Sequence, residues 1–214
     1  YTIAREQYGV DQTFPIAYTD SMRAVNRYVS TDWQDELTRT GNRENYNLSV
    51  SGGNESVIFS GSGGYYREQG TLISTGVERL TLRANSTANL REWFRIGESL
   101  LITRINTDRG ADWVWGSMNS SPLMPVYNDE NLGGYAGPDP FYTGKNERTN
   151  PVATTMLQDT REEAFKVLTS LFAELEIFKN LKYKIQLGLD YNMGSSRGWI
   201  PKYELGGGRS NSVS

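Results

Sequence analysis

Three groups of residues in this chain have types and spacings that could do chemistry. "STDWQDEL" gathers Asp32, Asp35 and Glu36, and "YNDENLGG" sets Asp129, Glu130 and Asn131 before a glycine pair. The aromatics Trp113, Trp115, Tyr127, Tyr135 and Tyr142, with Trp199 further on, form the third group. The first acids could serve as a catalytic or metal-binding cluster. Behind a cap at Ser30 or Thr31 they more simply suit the first turn of a solvated helix, where the amide dipoles favour negative charge. Asp129, Glu130 and Asn131 are hard oxygen donors fit for calcium. An EF-hand loop counted from Asp129, however, needs Glu at its last position and finds Pro140. Flat rings beside Asn and Asp suit stacking on a sugar or contact with a covering protein, and they suit plain loop packing as well.

The 214 residues include no His and no Cys. That excludes imidazole or thiolate zinc sites, His-based triads and disulfides. Carboxylate chemistry survives, so a glycosidase remains open, though no spacing selects one pair of acids. "GSGG" at Gly61–Gly64 lacks the Lys-Ser/Thr of a phosphate loop and lies within a strand pattern. The Asn-x-Ser/Thr matches at Asn47, Asn54, Asn85 and Asn119 are read as chance. A net charge of −3 gives no basic footprint for nucleic acid. No apolar run approaches the roughly 20 residues of a membrane-spanning helix, a fact that leaves strands untouched. With no initiator Met and no leader at Tyr1, the chain is expected to be the interior of something longer.

The elements that must position these residues follow a period of two from Glu44 onward. In "ENYNLSVSGGNESVIFSGSGGYY", Tyr46, Leu48 and Val50 alternate with Asn45, Asn47, Ser49 and Ser51. The pattern predicts strands over Glu44–Gly52, Ser56–Tyr66, Val77–Asn89 and Phe94–Ile105, with a link Arg67–Gly76 in the middle. Lys182, Lys184, Gln186, Gly188 and Asp190 alternate with Tyr183, Ile185, Leu187, Leu189 and Tyr191, which predicts another strand. Glu162–Glu176 fits both periods. Its propensities lean slightly to helix, while the short "FKNL" link leans to a hairpin. Asn106–Arg161 has no period, and its aromatics argue for an ordered loop.

Short turns fall near Asn54, Arg91 and Asn180, and long links at Arg67–Gly76, Asn106–Arg161 and after Asn192. In an antiparallel meander the short ones share one side and the long ones the other. Outer-membrane barrels sort their loops in this way, and strands of about 9–13 residues suit a tilted crossing. The alternative is a soluble carbohydrate-binding β-domain that buries its apolar face.

"TDWQDELTRTG", "NYNLSVSGGNES", "SGGYYREQGTL", "ERLTLRAN" and "EWFRIGESL" closely resemble the SusC/RagA family of TonB-linked outer-membrane transporters. "MPVYNDENLGGY", "NPVA", "LFAELEIFKNLKYKIQLGLDYN" and "YELGGGRS" continue the resemblance in the same order, from about Ser30 onward. It implies an all-β, antiparallel up-and-down meander forming part of a large transmembrane β-barrel of about 22 strands around a plug. It also implies location in a bacterial outer membrane, in contact with its lipid. The cargo would be oligosaccharide or peptide, with a SusD-like lipoprotein as lid and TonB engaged through segments absent here. No catalysis, nucleic acid or cofactor is implied. Phe165–Glu176 becomes a strand on the same ground.

The expected organisation is a partly helical region over 1–43, two barrel hairpins over 44–106, and a long extracellular loop over 107–161. A third hairpin would occupy 162–193, and a further loop would begin at 194–214. Asn47, Ser49, Arg79, Arg83, Lys182, Lys184 and Asp190 are expected to line the lumen. Tyr46, Tyr65, Tyr66, Trp93, Phe94, Tyr183 and Tyr191 are expected in interfacial girdles. Glu98 falls in phase with Ile96, Leu100 and Ile102 on the lipid side, which a bulge or an interfacial position would explain.

Overall fold

A computed structural model describes residues 29–110, 113–138, 149–205 and 210–211, with the side chains of residues 113–115 left aside. Two compact units emerge. One combines the segment ending at Arg39 with Gly110–Asp159 and the segment from Trp199; the other combines Thr40–Arg109 with Thr160–Gly198.

The second unit is a six-stranded antiparallel meander in sequence order. Its strands are β1 (Arg43–Gly53), β2 (Val57–Gln69), β3 (Gly76–Arg91), β4 (Phe94–Arg109), β5 (Asp159–Phe178) and β6 (Leu181–Trp199). Among the described residues the sheet does not close on itself. All six strands were expected, and all run longer than the alternation suggested, β5 reaching 20 residues. Alternation marks only the stretch where one face is apolar, whereas backbone pairing continues past it. Glu162–Glu176 lies within β5 and not in a helix, because β4 supplies an unbroken partner register from Phe94↔Leu175 to Arg109↔Thr160. That tertiary pairing overrides a helix propensity worth only tenths of a kcal/mol per residue.

Polar side chains shape the tight turns. Asn54 Oδ1 accepts from the amides of Ser56 and Val57 at 2.9 Å each, closing the β1–β2 turn. Asn180 takes a left-handed φ of 75° in the β5–β6 turn, a conformation Asn tolerates better than most residues. The β2–β3 link shrinks from the expected Arg67–Gly76 to the residues between Gln69 and Gly76, since the ladder extends to Gln69↔Gly76.

Gly97 of β4 is buried beneath the ring of Phe172. A Cβ there would collide with that ring and meet the Ser86 carbonyl oxygen at 2.9 Å. Gly97→Ala is therefore expected to destabilise the sheet by about 1–3 kcal/mol, as overpacking does. Phe172→Leu should recover part of the loss, and denaturant titration of the single and double variants checks this.

Among the described residues, the first unit contains three short helices: α1 (Trp33–Leu37), α2 (Trp113–Asn119) and α3 (Pro151–Leu157). The cap of α1 is Asp32, not Ser30 or Thr31: its carboxylate accepts from the amides of Gln34 and Asp35. Asp accepts two amides here because its side chain reaches N2 and N3 from the residue directly before the helix.

Candidate functional site

Cross-strand partners in an antiparallel ladder project to the same face. One set of rows reads Leu48–Gly63–Leu82–Ile102–Val167 and Val50–Gly61–Ala84–Leu100–Thr169. Next to these lies Tyr46–Tyr65–Leu80–Arg104–Phe165, with the Tyr46 and Tyr65 rings stacked at 6.4 Å. None of these side chains is buried, and Leu48 is 80% exposed. A soluble β-domain would seal such a face, and among the described residues nothing covers it.

The opposite face reads Asn47–Gly64–Thr81–Thr103–Lys166, Ser49–Ser62–Arg83–Leu101–Leu168 and Ser51–Ser60–Asn85–Ser99–Ser170. Arg79 shares it, opposite Tyr66 and Ile105. Contacts with β5 bring β6 into the same scheme. Lys182 Nζ lies 3.6 Å from Glu174 Oε1, and Lys166 Nζ 4.0 Å from Asp190 Oδ1. Lys184 Nζ sits 4.5 Å from the centre of the Phe172 ring. All seven residues expected to line a lumen therefore share one face of the sheet.

Two expectations change. Tyr66 cannot join a girdle with Tyr65, since neighbours in a strand alternate faces. It lies on the polar face, with the Arg43 and Arg79 guanidinia 5.4 and 5.2 Å from its ring centre. Glu98 sits in an unbroken register opposite Ser86 and Leu171, so no bulge shifts it; the irregularity of β3–β4 lies at Asn89/Arg91. Its carboxylate accepts from the Ser86 hydroxyl at 3.2 Å. Phe172, on the polar face, was not foreseen, and only its phase with Lys166 and Glu174 could have revealed it.

The first unit is built around its own core of Trp33, Leu37, Met124, Val126, Ala136, Val152, Ala153 and Leu205. Three chain segments meet there. Thr31 bonds the Pro122 carbonyl through its amide and the Met124 carbonyl through its hydroxyl, both at 2.7 Å. Trp33 Nε1 donates to the Ser121 carbonyl at 2.9 Å. From the C-terminal side, the Glu204 amide donates to Leu132 O at 2.9 Å, and Leu205 is buried.

Asn150 is fully buried and ties these parts together. Its Oδ1 caps α3 by accepting from the amides of Val152 and Ala153, and its Nδ2 donates to the carbonyls of Val126 and Ala136. Pro151 follows at the first helical position, where a missing amide costs nothing. The "NPVA" stretch thus carries a cap signature inside a region that otherwise has no period.

Of the candidate contact residues, the structure brings Tyr127 and Tyr135 together. Their rings are 5.5 Å apart and tilted by 33°, across a bridge that closes a small hairpin. Trp199 ends β6 and is exposed; the side chains of Trp113 and Trp115, and Tyr142 as a whole, lie outside the described residues. Burial, and secondarily the neighbouring Tyr127, pushes the Tyr135 phenol above its ordinary pKa. Ultraviolet titration of the phenolate should place Tyr135 above 10, since burial favours the neutral ring. Tyr127→Phe should remove only the smaller part of that rise. The folded unit accordingly loses this contribution as pH climbs past the free-phenol value.

Asp129, Glu130 and Asn131 occupy the hairpin tip. Asn128 Oδ1 accepts from the Glu130 amide, and Asn131 Nδ2 donates to Tyr135 O at 2.8 Å. Among the described residues no three acids gather as a metal cluster, and Asp32 is engaged as a helix cap.

No family model matches the chain. It is 24% identical to "TonB-dependent receptor P3" of Formosa agariphila over 82% of its own length and 18% of that protein. It is also 24% identical to "TonB-dependent receptor SusC" of Bacteroides thetaiotaomicron, over 87% of its length and 21% of the relative. Among solved structures, the RagAB peptide transporter superposes with a TM-score of 0.63 at 19% identity, covering 86% of this chain and 22% of that one. The RagAB peptide importer in its "open-open" state gives 0.64 at 20% identity, covering 92% and 25%. The chain thus spans about a fifth of the curated relatives it matches, and it is similar to a segment of a SusC/RagA-like TonB-dependent transporter.

Proposed function

We propose that these residues form one part of the wall of an outer-membrane importer, together with loops that meet its cargo. The supporting observation is the division of the meander into an uncovered apolar face and a polar face that holds all seven expected lumen residues. Leu181 to Tyr191 rises about 33 Å along β6 at the usual spacing per residue. At a tilt near 40° that gives roughly 25 Å of height, matching the apolar band of outer-membrane barrels. The apolar face then meets lipid and the polar face meets water.

In this reading the whole protein imports an oligosaccharide or a peptide with a SusD-like lipoprotein as lid, and TonB drives it through parts outside this chain. The peptide alternative draws support from the RagAB neighbours, described as a peptide transporter. Single-cysteine labelling of the full-length protein in membranes tests the wall. Ser49→Cys should react with a charged thiol reagent and Leu48→Cys should not. The reverse result refutes the orientation.

A further inference from the structure

The apolar face of the meander ends in charge. One row beyond the stacked rings of Tyr46 and Tyr65, on the same face and toward the long links, lies Glu44–Arg67–Glu78–Asn106–Glu163. Arg67 stands on β2, with both neighbouring strands present in the sheet. It makes no ion pair among the described residues, although Glu44 and Glu78 flank it in register. Arg104 of β4 lies in the row of the two rings, opposite Leu80 and Phe165. Its contact with Glu163, at 3.6 Å, joins two side chains that are each more than half exposed. Such a pair is worth little and exchanges readily for another anion.

Aromatic rings mark the edge of the hydrocarbon around a membrane barrel. From Tyr65 to Arg67 the strand rises about 7 Å, or roughly 5 Å in height at a tilt near 40°. That sets the Arg67 guanidinium at the depth of lipid headgroups. Arg104, level with the rings, reaches the same depth by extending its aliphatic stem upward. The two arginines are two strands apart across the sheet and three residue rows from each other's strand ends along no common chain. By strand spacing and rise, their Cα atoms are separated by about 12 Å, comparable with the length of a disaccharide.

We propose that Arg67 and Arg104 form a two-point anchor for an anionic glycolipid of the outer leaflet, one whose sugar headgroup carries a phosphate at each end of a disaccharide. The inference rests on the proposed wall orientation, which turns this face to the membrane and the long links to the outside. Guanidinium presents a planar fork of donors that matches phosphate two bonds at a time. Glu44 and Glu78 suit the divalent cations that bridge neighbouring phosphates, since hard cations take carboxylate oxygens. Tyr65 and Leu80, one row below Arg67, receive the upper part of the acyl chains.

The test uses full-length protein in detergent with magnesium present, and native mass spectrometry reads the bound lipid. Bisphosphorylated lipid A, monophosphorylated lipid A and phosphatidylglycerol serve as probes. The bisphosphorylated form should bind about tenfold more tightly than either of the others. Arg67→Gln and Arg104→Gln should each weaken it about tenfold and bring it level with the monophosphorylated form. Equal binding of all three probes by the unmodified protein overturns the anchor, and so does binding of bisphosphorylated lipid A that neither substitution weakens. Arg83→Gln, on the opposite face, should change nothing. If Arg83→Gln weakens binding while Arg67→Gln and Arg104→Gln do not, the wall orientation has failed and the anchor falls with it.

Discussion

Asn150→Ala is expected to destabilise the loop unit strongly while leaving the meander intact. The side chain is wholly buried and makes four hydrogen bonds to main-chain groups of three stretches of loop. Truncation leaves two helix amides without their cap and removes a donor from two carbonyls. A lost cap costs about 1 kcal/mol, and each buried group left unsatisfied about 1–3 kcal/mol. The Val126 carbonyl keeps a second donor, the Ala136 amide at 3.1 Å, which lowers the total. A loss of about 3–4 kcal/mol remains, which should reduce hydrogen-exchange protection in residues 124–136 and 150–157 by about 10²–10³-fold. Asn150→Asp should be worse, since a buried carboxylate would face two carbonyl oxygens. Unchanged protection in these residues would show that the side chain does not hold the unit together.

Leu187→Arg tests the wall in the same way. Leu187 lies midway along the apolar run of β6, and the face carrying it is uncovered. If that face meets hydrocarbon, Arg there should cost about 2–4 kcal/mol, whereas Gln186→Arg on the opposite face should cost under about 1 kcal/mol. Folding equilibria of the full-length protein in bilayers, or the fraction assembled in membranes, give the comparison. Equal tolerance of both variants would refute the assignment of faces.

How much of this was legible in the sequence differs between the two units. The period of two in "ENYNLSVSGG" and "LKYKIQLGLDYN", with Asn54 and Asn180 at the turns, revealed strands, order and faces. These depend on neighbours in sequence. Strand ends were not legible, because beyond the apolar stretch both faces of β4, β5 and β6 are polar and only hydrogen bonding continues. The identity of β5 needed β4 as a partner. The loop unit was legible in its residues but not in its assembly. Trp33 and Ser121 lie 88 positions apart, and Thr31 and Met124 lie 93 apart, so no local pattern records their contact. The Asn-Pro pair at 150–151 was a local signal of a helix start between β4 and β5. Tyr127 and Tyr135 belonged to the candidate set, but only the hairpin between them shows that they act as a pair.

The loop unit closes its core with pieces from three places in the chain: Leu37 from before β1, Met124 and Val152 from the β4–β5 connection, and Leu205 from after β6. A chimera that transplants residues 110–158 alone would arrive without the side chains that seal it at either side. New binding specificity on this scaffold should therefore be inherited as co-varying triplets of segments, and engineering by single-loop exchange should fail where a three-part graft succeeds.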